Sequence, residues 1–219
     1  GARRLRAIFG SRRKWLSSGG AALPVGVAEA FAKRGVPIYQ GYGLTETSPV
    51  ISFNTPEANR IGSVGQALPD VELRIAEDGE LLTRAPHVMK GYWQEPEATA
   101  AAFRDGWFCT GDLAHLDPAG VLFITGRKKD MLALSNGKKL APTNLEGLLI
   151  QRPWIDQAVI VGEGRNFLSA LIVPAWTAIR QHLNLSDEPA RLTEHPAVCE
   201  LIRSECATAL CELSPMEQV

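Results

Sequence analysis

Polar and apolar positions change rhythm along the chain, and each rhythm predicts a different kind of structure. Lys14-Trp15-Leu16-Ser17-Ser18-Gly19-Gly20 reads as a short strand running into a glycine turn. Pro24 stands where the first turn of a helix tolerates a residue without an amide hydrogen. Val27, Ala30 and Phe31 then recur at helical spacing, and Gly35 is placed to end that helix. Val36-Pro37-Ile38-Tyr39 follows as a second strand. A strand, helix, strand order of this length predicts parallel pairing. Two strands and one helix bury too little to stand alone. The expectation is therefore the edge of a larger α/β subdomain, with further sequence upstream.

Residues 61–126 alternate instead. Val71-Glu72-Leu73-Arg74-Ile75 switches cleanly between polar and apolar, Asp78-Gly79 is a hairpin turn, and Glu80-Leu81-Leu82-Thr83 returns. A second turn at 117–120 separates strands at 113–116 and 121–124. Short strands with regular turns predict a small antiparallel sheet or barrel. Residues 127–130 are a polar break, and residues 131–174 resemble a small α+β unit. Within it, Thr143 and Glu146 have capping-box spacing ahead of Leu148-Leu149-Ile150. Ala158-Val159-Ile160-Val161 and residues 168–173 read as strands around a turn at 162–166. Residues 175–219 read as mainly helical, with Val198, Leu201, Ile202, Glu205 and Ala209 on one face of a helix opened by Pro196. The predicted fold class is α/β plus α+β. Its expected parts are 1–60, 61–126, a hinge at 127–130, and a mobile α+β domain at 131–219.

Composition narrows the function classes. At 219 residues the chain exceeds the ~150 typical of one domain and can bury more than one core. A net charge of −1 argues against a dedicated nucleic-acid binder, which is usually basic. Arg3, Arg4, Arg6, Arg12, Arg13 and Lys14 form a local basic run that suits either phosphate contact or a solvated helix face. No apolar stretch reaches the ~18 residues of a membrane helix, so no transmembrane segment is expected here, and peripheral membrane contact in a longer parent protein is left open. No apolar region follows the N-terminal arginines, so they do not open a secretory signal. Cys109, Cys199, Cys206 and Cys211 form no CxxC pair, which predicts reduced, mostly buried thiols in a cytoplasmic protein. His87, His115, His182 and His195 lack metal-ligand spacing and read as surface or satisfied core side chains. Phosphate-loop, dinucleotide-fingerprint and nucleophile-elbow motifs are absent from these residues.

Three polar segments at chain breaks remain. In Gly41-Tyr42-Gly43-Leu44-Thr45-Glu46-Thr47, two glycines flank an aromatic, so the backbone can pass close to a planar ligand while Tyr42 presents its ring. Thr45 and Glu46 offer a hydroxyl and a carboxylate suited to phosphate oxygens and a hard cation such as Mg²⁺. The same segment is also compatible with a plain strand-to-loop turn. Thr110-Gly111-Asp112 is expected to end a strand, with a carboxylate able to accept two hydrogen bonds from a vicinal diol or to cap its own turn. Arg127, in Gly126-Arg127-Lys128-Lys129-Asp130, is a fixed fork of donors suited to hydroxyls or phosphate, or part of a charged linker.

The order of these segments resembles the acyl-adenylate-forming enzymes, the superfamily of acyl-CoA synthetases, luciferases and peptide-synthetase adenylation domains. The matching pieces are Ser18-Gly19-Gly20-Ala21, Tyr39 through Thr47, Gly62-Ser63-Val64-Gly65, Val88-Met89-Lys90-Gly91-Tyr92-Trp93, Gly106 through Asp112, and Ile124 through Asp130. Ser135-Asn136-Gly137-Lys138-Lys139-Leu140-Ala141-Pro142 looks most like the long-chain fatty acyl-CoA synthetases.

The resemblance implies that Gly19, Gly20 and Ala21 line an adenine slot, with Tyr42 and Gly43 beside the base. It implies that Thr45 holds phosphate, that Glu46 reaches Mg²⁺, and that Asp112 takes the ribose hydroxyls with support from Arg127. Lys129 would occupy the hinge, and Gly137 the loop that passes the pantetheine arm of CoA. The implied substrates are ATP, CoA and a fatty carboxylate, which becomes an acyl-adenylate and then a thioester. A carrier protein as acyl acceptor, or a stand-alone nucleotide-binding module, is the alternative. The family's upstream phosphate loop and its C-terminal lysine are absent from these residues, so the 219-residue chain is expected to be catalytically incomplete alone.

Overall fold

The computed structural model describes residues 2–10, 12, 14–186, 192–211, 213 and 214. Arg13 of the basic run and residues 187–191, 212 and 215–219 of the expected helical tail lie outside the described residues. Two compact units divide the chain, Gly1–Lys129 and Asp130–Val219.

The first unit is built on one nine-stranded sheet. Its strands are β1 (Leu16–Ser18), β2 (Ile38–Gly43), β3 (Val50–Phe53), β4 (Gly65–Ala67), β5 (Glu72–Ile75), β6 (Glu80–Arg84), β7 (Phe103–Arg104), β8 (Trp107–Leu116) and β9 (Val121–Arg127). They lie in the order β1-β2-β3-β4-β9-β8-β6-β5, with β7 pairing to β8. The path is open, so the antiparallel part forms a sheet rather than a barrel. β1 and β2 are parallel, with Ser18 opposite Gln40, and the other pairings are antiparallel. The short helices α1 (Ala2–Phe9), α2 (Val25–Ala32) and α3 (Pro96–Ala101) complete the unit.

Helix α2 connects β1 to β2, as its sequence predicts, but its apolar face falls one residue later. Ala28 is buried and Val27 exposed, and Phe31 meets Phe9 of α1 edge to face at 6.3 Å. Gly35 ends the helix at φ +73, with Gly35 N donating to Ala32 O and Val36 N to Phe31 O. That is the paired C-terminal closure in which a left-handed residue satisfies the last carbonyls. The hairpin of β5 and β6 has Glu72 opposite Arg84 and Ile75 opposite Leu81. β5 shows the expected alternation in burial, while the residues of β6 from Glu80 to Thr83 are all buried.

Two expectations about chain breaks are corrected. The segment Gly41-Tyr42-Gly43 is itself the end of β2, not a loop after it. Thr110-Gly111-Asp112 lies in the middle of β8, and β9 runs through Gly126 to Arg127 before the turn Lys128–Asp130. Glycine-rich strands resemble loops in sequence because they lack the side chains that mark a strand.

The second unit contains β10 (Leu132–Ala133) paired with β11 (Lys139–Leu140), α4 (Pro142–Leu149), the antiparallel pair β12 (Ile155–Val161) and β13 (Ser169–Pro174), α5 (Trp176–Leu183) and α6 (Pro196–Leu210). Its core joins Leu140, Leu145, Leu149, Ile160, Cys206 and Leu210. The Thr143–Glu146 capping box does not form. Pro142 pre-sets the helical φ and starts α4 earlier, with Ala141 at the cap. Glu146 Oε1 instead accepts a hydrogen bond from Ile160 N at 2.9 Å, tying α4 to β12. On α6 the buried stripe is Val198, Cys206 and Leu210, while Glu205 pairs with Arg152. All four cysteines are free, but only Cys206 is buried and Cys211 is exposed, so the expectation of mostly buried thiols is corrected. His115 stacks on Phe123 and His182 on Trp154, whereas His87 Nε2 and His195 Nδ1 are buried without a hydrogen-bond partner. Those last two depart from the expected surface or satisfied histidine.

Candidate functional site

Tyr42, Asp112 and Arg127 come from three strands and meet in the first unit. Tyr42 Oη donates to Asp112 Oδ2 at 2.5 Å, and Arg127 Nε donates to Asp112 Oδ1 at 3.0 Å. Asp112 on β8 lies directly opposite Arg127 on β9, the arrangement in which cross-strand side chains interact most closely. Asp112 is 7% exposed. Each carboxylate oxygen carries one protein donor, and a carboxylate offers about four lone-pair sites. Acceptor capacity therefore remains for a second pair of donors. Burial, then the hydrogen bond to Asp112 and its negative charge, pushes the Tyr42 phenol far above its usual range, against a smaller opposing pull from Thr110 and Arg127.

A bulge aims Asp112. Glu80 pairs with Leu113 and Leu82 with Cys109, so Leu81 alone faces Thr110, Gly111 and Asp112. Extra residues on one strand kink it and redirect its side chains. Gly111 takes φ +73 there. Thr110 Oγ1 donates to Leu81 O at 2.8 Å and accepts from Asp112 N at 3.1 Å.

Thr45 and Glu46 stand on a single 3-10 turn, Thr45–Thr47, immediately after β2. Thr45 is exposed to solvent. Fully buried Thr47 anchors the turn, its Oγ1 donating to Pro49 O at 2.7 Å and accepting from Leu44 N at 3.0 Å. Glu46 Oε1 accepts from Tyr92 Oη at 3.0 Å, and Glu46 O accepts from Met89 N at 2.7 Å. Two segments distant in sequence are thus laced together. Burial and the Glu46 carboxylate raise the Tyr92 phenol. Among the described residues no cluster of three or more His, Cys, Asp or Glu side chains could cage a metal. A single carboxylate on a turn fits Mg²⁺, which keeps waters and substrate phosphates and needs no protein cage.

Gly19, Gly20 and Ala21 follow the C-terminal end of β1, beside β2. A Cβ on Gly19 would lie 3.4 Å from Gly41 O, and Gly20 has φ +82 with open space around it. The glycines flanking Tyr42 lie close against the segment that leads into and forms β3. A Cβ on Gly41 would lie 2.5 Å from the Phe53 ring and one on Gly43 1.7 Å from Pro49 O. They make room for the protein's own chain. Ligand crevices in sheets of parallel strands open at the carboxyl ends, which is where these residues sit.

Lys129 is the last residue of the first unit. Gly137 belongs to the second, in the turn between β10 and β11, with φ +83 and its N–H donating to Leu134 O. Sequence reading missed Tyr92, Thr47, Glu80 and Lys128. Glu80 had a signal, a carboxylate opening a strand whose next residues are apolar.

The sequence matches the AMP-binding enzyme family over residues 3–93 and the AMP-binding enzyme C-terminal domain over residues 129–204. The chain belongs to this family of acyl-adenylate-forming enzymes. It is 46% identical over 170 residues to long-chain-fatty-acid–CoA ligase FadD15 of Mycobacterium bovis, covering 78% of this chain and 28% of that protein. It is 39% identical over 155 residues to the 2-succinylbenzoate–CoA ligase of Geobacillus kaustophilus, covering 66% of this chain and 31% of that protein. The chain thus spans about a third of the length of these curated relatives. Its fold is shared with the anthranilate CoA ligase AuaEII solved with anthranoyl-AMP, at a TM-score of 0.74 and 24% identity over 95% of this chain and 40% of that one. No helix among the described residues is long and apolar enough to cross a membrane.

Proposed function

We propose that this chain supplies the nucleotide grip and hinge of a long-chain fatty acid–CoA ligase. In this reading a fatty carboxylate attacks the α-phosphate of ATP, pyrophosphate leaves, and the CoA thiol then displaces AMP from the acyl-adenylate. The observation that carries it is the carboxylate of Asp112, held between Tyr42 and Arg127 with acceptor capacity to spare. A ribose diol supplies the two donors that such a carboxylate accepts. Gly19, Gly20 and Ala21 line the adenine slot, the Tyr42 ring stacks on the base, and Gly43 lets the chain turn beneath it. Thr45 binds phosphate. Glu46 would hold Mg²⁺, which supplies charge neutralisation at the phosphates when bound; Tyr92 orients that carboxylate beforehand. Catalysis here is positioning and electrostatic stabilisation, with no covalent nucleophile. Lys129 is the pivot, and Gly137 lies on the loop that passes the pantetheine arm. A relative 46% identical over 170 residues is named a long-chain-fatty-acid–CoA ligase, which supports a fatty substrate.

The test is ATP–pyrophosphate exchange by the protein expressed from its complete reading frame, against a panel of carboxylic acids. Exchange is expected to peak with long-chain fatty acids, and CoA is expected to release AMP. A peak on an aromatic acid would overturn the substrate reading. Release that needs a carrier protein instead of CoA would overturn the acceptor, and no exchange with any acid would overturn the activity.

A further inference from the structure

The nucleotide reading leaves one buried carboxylate of the first unit unused. Glu80 opens β6 after the Asp78-Gly79 turn, and its side chain is 5% exposed. Its Oε1 accepts a hydrogen bond from the Gly111 N–H at 3.0 Å, and its Oε2 accepts one from Lys128 Nζ at 2.9 Å. Arg104 stands 3.8 Å from the same oxygen. Asp78 shares the ammonium, with Lys128 Nζ 2.7 Å from Asp78 Oδ2, and fixes the start of β6 by accepting Glu80 N on its other oxygen.

These contacts fall at both ends of the Asp112 grip. The β8 bulge takes Gly111 and Asp112 out of register with β6, so their amide donors need other acceptors. Thr110 Oγ1 takes the Asp112 N–H, and Glu80 takes the Gly111 N–H. Lys128 follows Arg127, whose guanidinium holds the Asp112 carboxylate. The same glutamate therefore touches the backbone just before Asp112 and the side chain just after Arg127.

We propose that Glu80 is a positioning residue for the ribose grip, fixing the bulge through Gly111 and the root of the linker through Lys128 so that Asp112 and Arg127 keep one arrangement. The proposal rests on the reading of Asp112 as the ribose ligand.

Calorimetric binding of AMP and of 2′,3′-dideoxy-AMP to the complete-reading-frame protein separates the two claims. The wild type is expected to prefer AMP by roughly tenfold or more, the worth of one charge-assisted hydrogen bond. Equal binding of both nucleotides by the wild type would overturn the ribose reading and this proposal with it. Given that preference, Glu80→Ala is expected to reduce it several-fold while dideoxy-AMP binds as before. A folded Glu80→Ala protein that keeps the full preference would overturn the role of Glu80 and leave the ribose reading intact. Equal weakening of both nucleotides would mark Glu80 as merely structural and also overturn it. Should the alanine variant fail to fold, Glu80→Gln carries the test. Its amide can satisfy Gly111 or Lys128 but not both, so a smaller loss of preference is expected, and an unchanged preference overturns the proposal.

Discussion

Replacing Tyr42 by Phe removes one hydroxyl and leaves the ring in place. The lost bond is an O–H donated to a buried carboxylate at 2.5 Å, worth about 1.5–3 kcal/mol because its acceptor is charged. Asp112 keeps Arg127, so no charge is stranded. The effect depends on pH. Burial, assisted by Asp112, raises the Tyr42 phenol in the folded state, so the native protein keeps a proton that the unfolded chain loses above about pH 10. Stability from this group is therefore complete below about pH 10 and declines by about 1.4 kcal/mol per unit above it, until the folded-state pKa is reached. Tyr92, Lys128, Cys109 and Cys206 are also raised, but they act alike in both proteins. Unfolding free energies of wild type and Tyr42→Phe from urea titrations should thus differ by a constant gap from neutral pH to about pH 9, narrowing by about 1 kcal/mol between pH 10 and 11. Phenolate absorbance of the two native proteins should coincide over that range, since Tyr42 adds none. Parallel stability curves, with one extra phenolate in the wild type near pH 10, would refute the reasoning.

Gly43→Ala places a Cβ 1.7 Å from Pro49 O. It should lower stability by about 1–3 kcal/mol through overpacking, and an unchanged melting temperature would contradict the turn geometry. Asp112→Ala should raise the KM for ATP roughly tenfold or more, from loss of charge-assisted bonds to ribose; steady-state kinetics on the complete protein check it. Glu146→Ala strips the Ile160 amide of its acceptor and should cost about 1–3 kcal/mol. Hydrogen exchange should show Ile160 losing protection while the β8 amides keep theirs.

The parts of this molecule legible in the sequence are those where one local rule decides. The Asp78-Gly79 turn, Gly35 at the end of α2 and the Pro196 start of α6 each fixed an element correctly. Where a distant partner decides, local pattern misled. Val27 fits the helical period, yet the chain from α1 covers Phe31 and the buried position is Ala28. Thr143 and Glu146 have the spacing of a cap, but Pro142 starts the helix and β12 claims the glutamate. The site divides in the same way. The chemistry of Tyr42, Asp112 and Arg127 is legible in the sequence, but their meeting depends on sheet order β2-β3-β4-β9-β8, which no short motif encodes. The motifs that contain Glu80 and Tyr92 reveal no role for either, because their partners lie 31 and 46 residues away.

The most direct measurement is the structure of the complete protein bound to AMP. Both ribose hydroxyls are expected on the Asp112 carboxylate and the adenine against the Tyr42 ring. A nucleotide held on another face, with Tyr42, Asp112 and Arg127 bonded only to one another, would contradict that expectation.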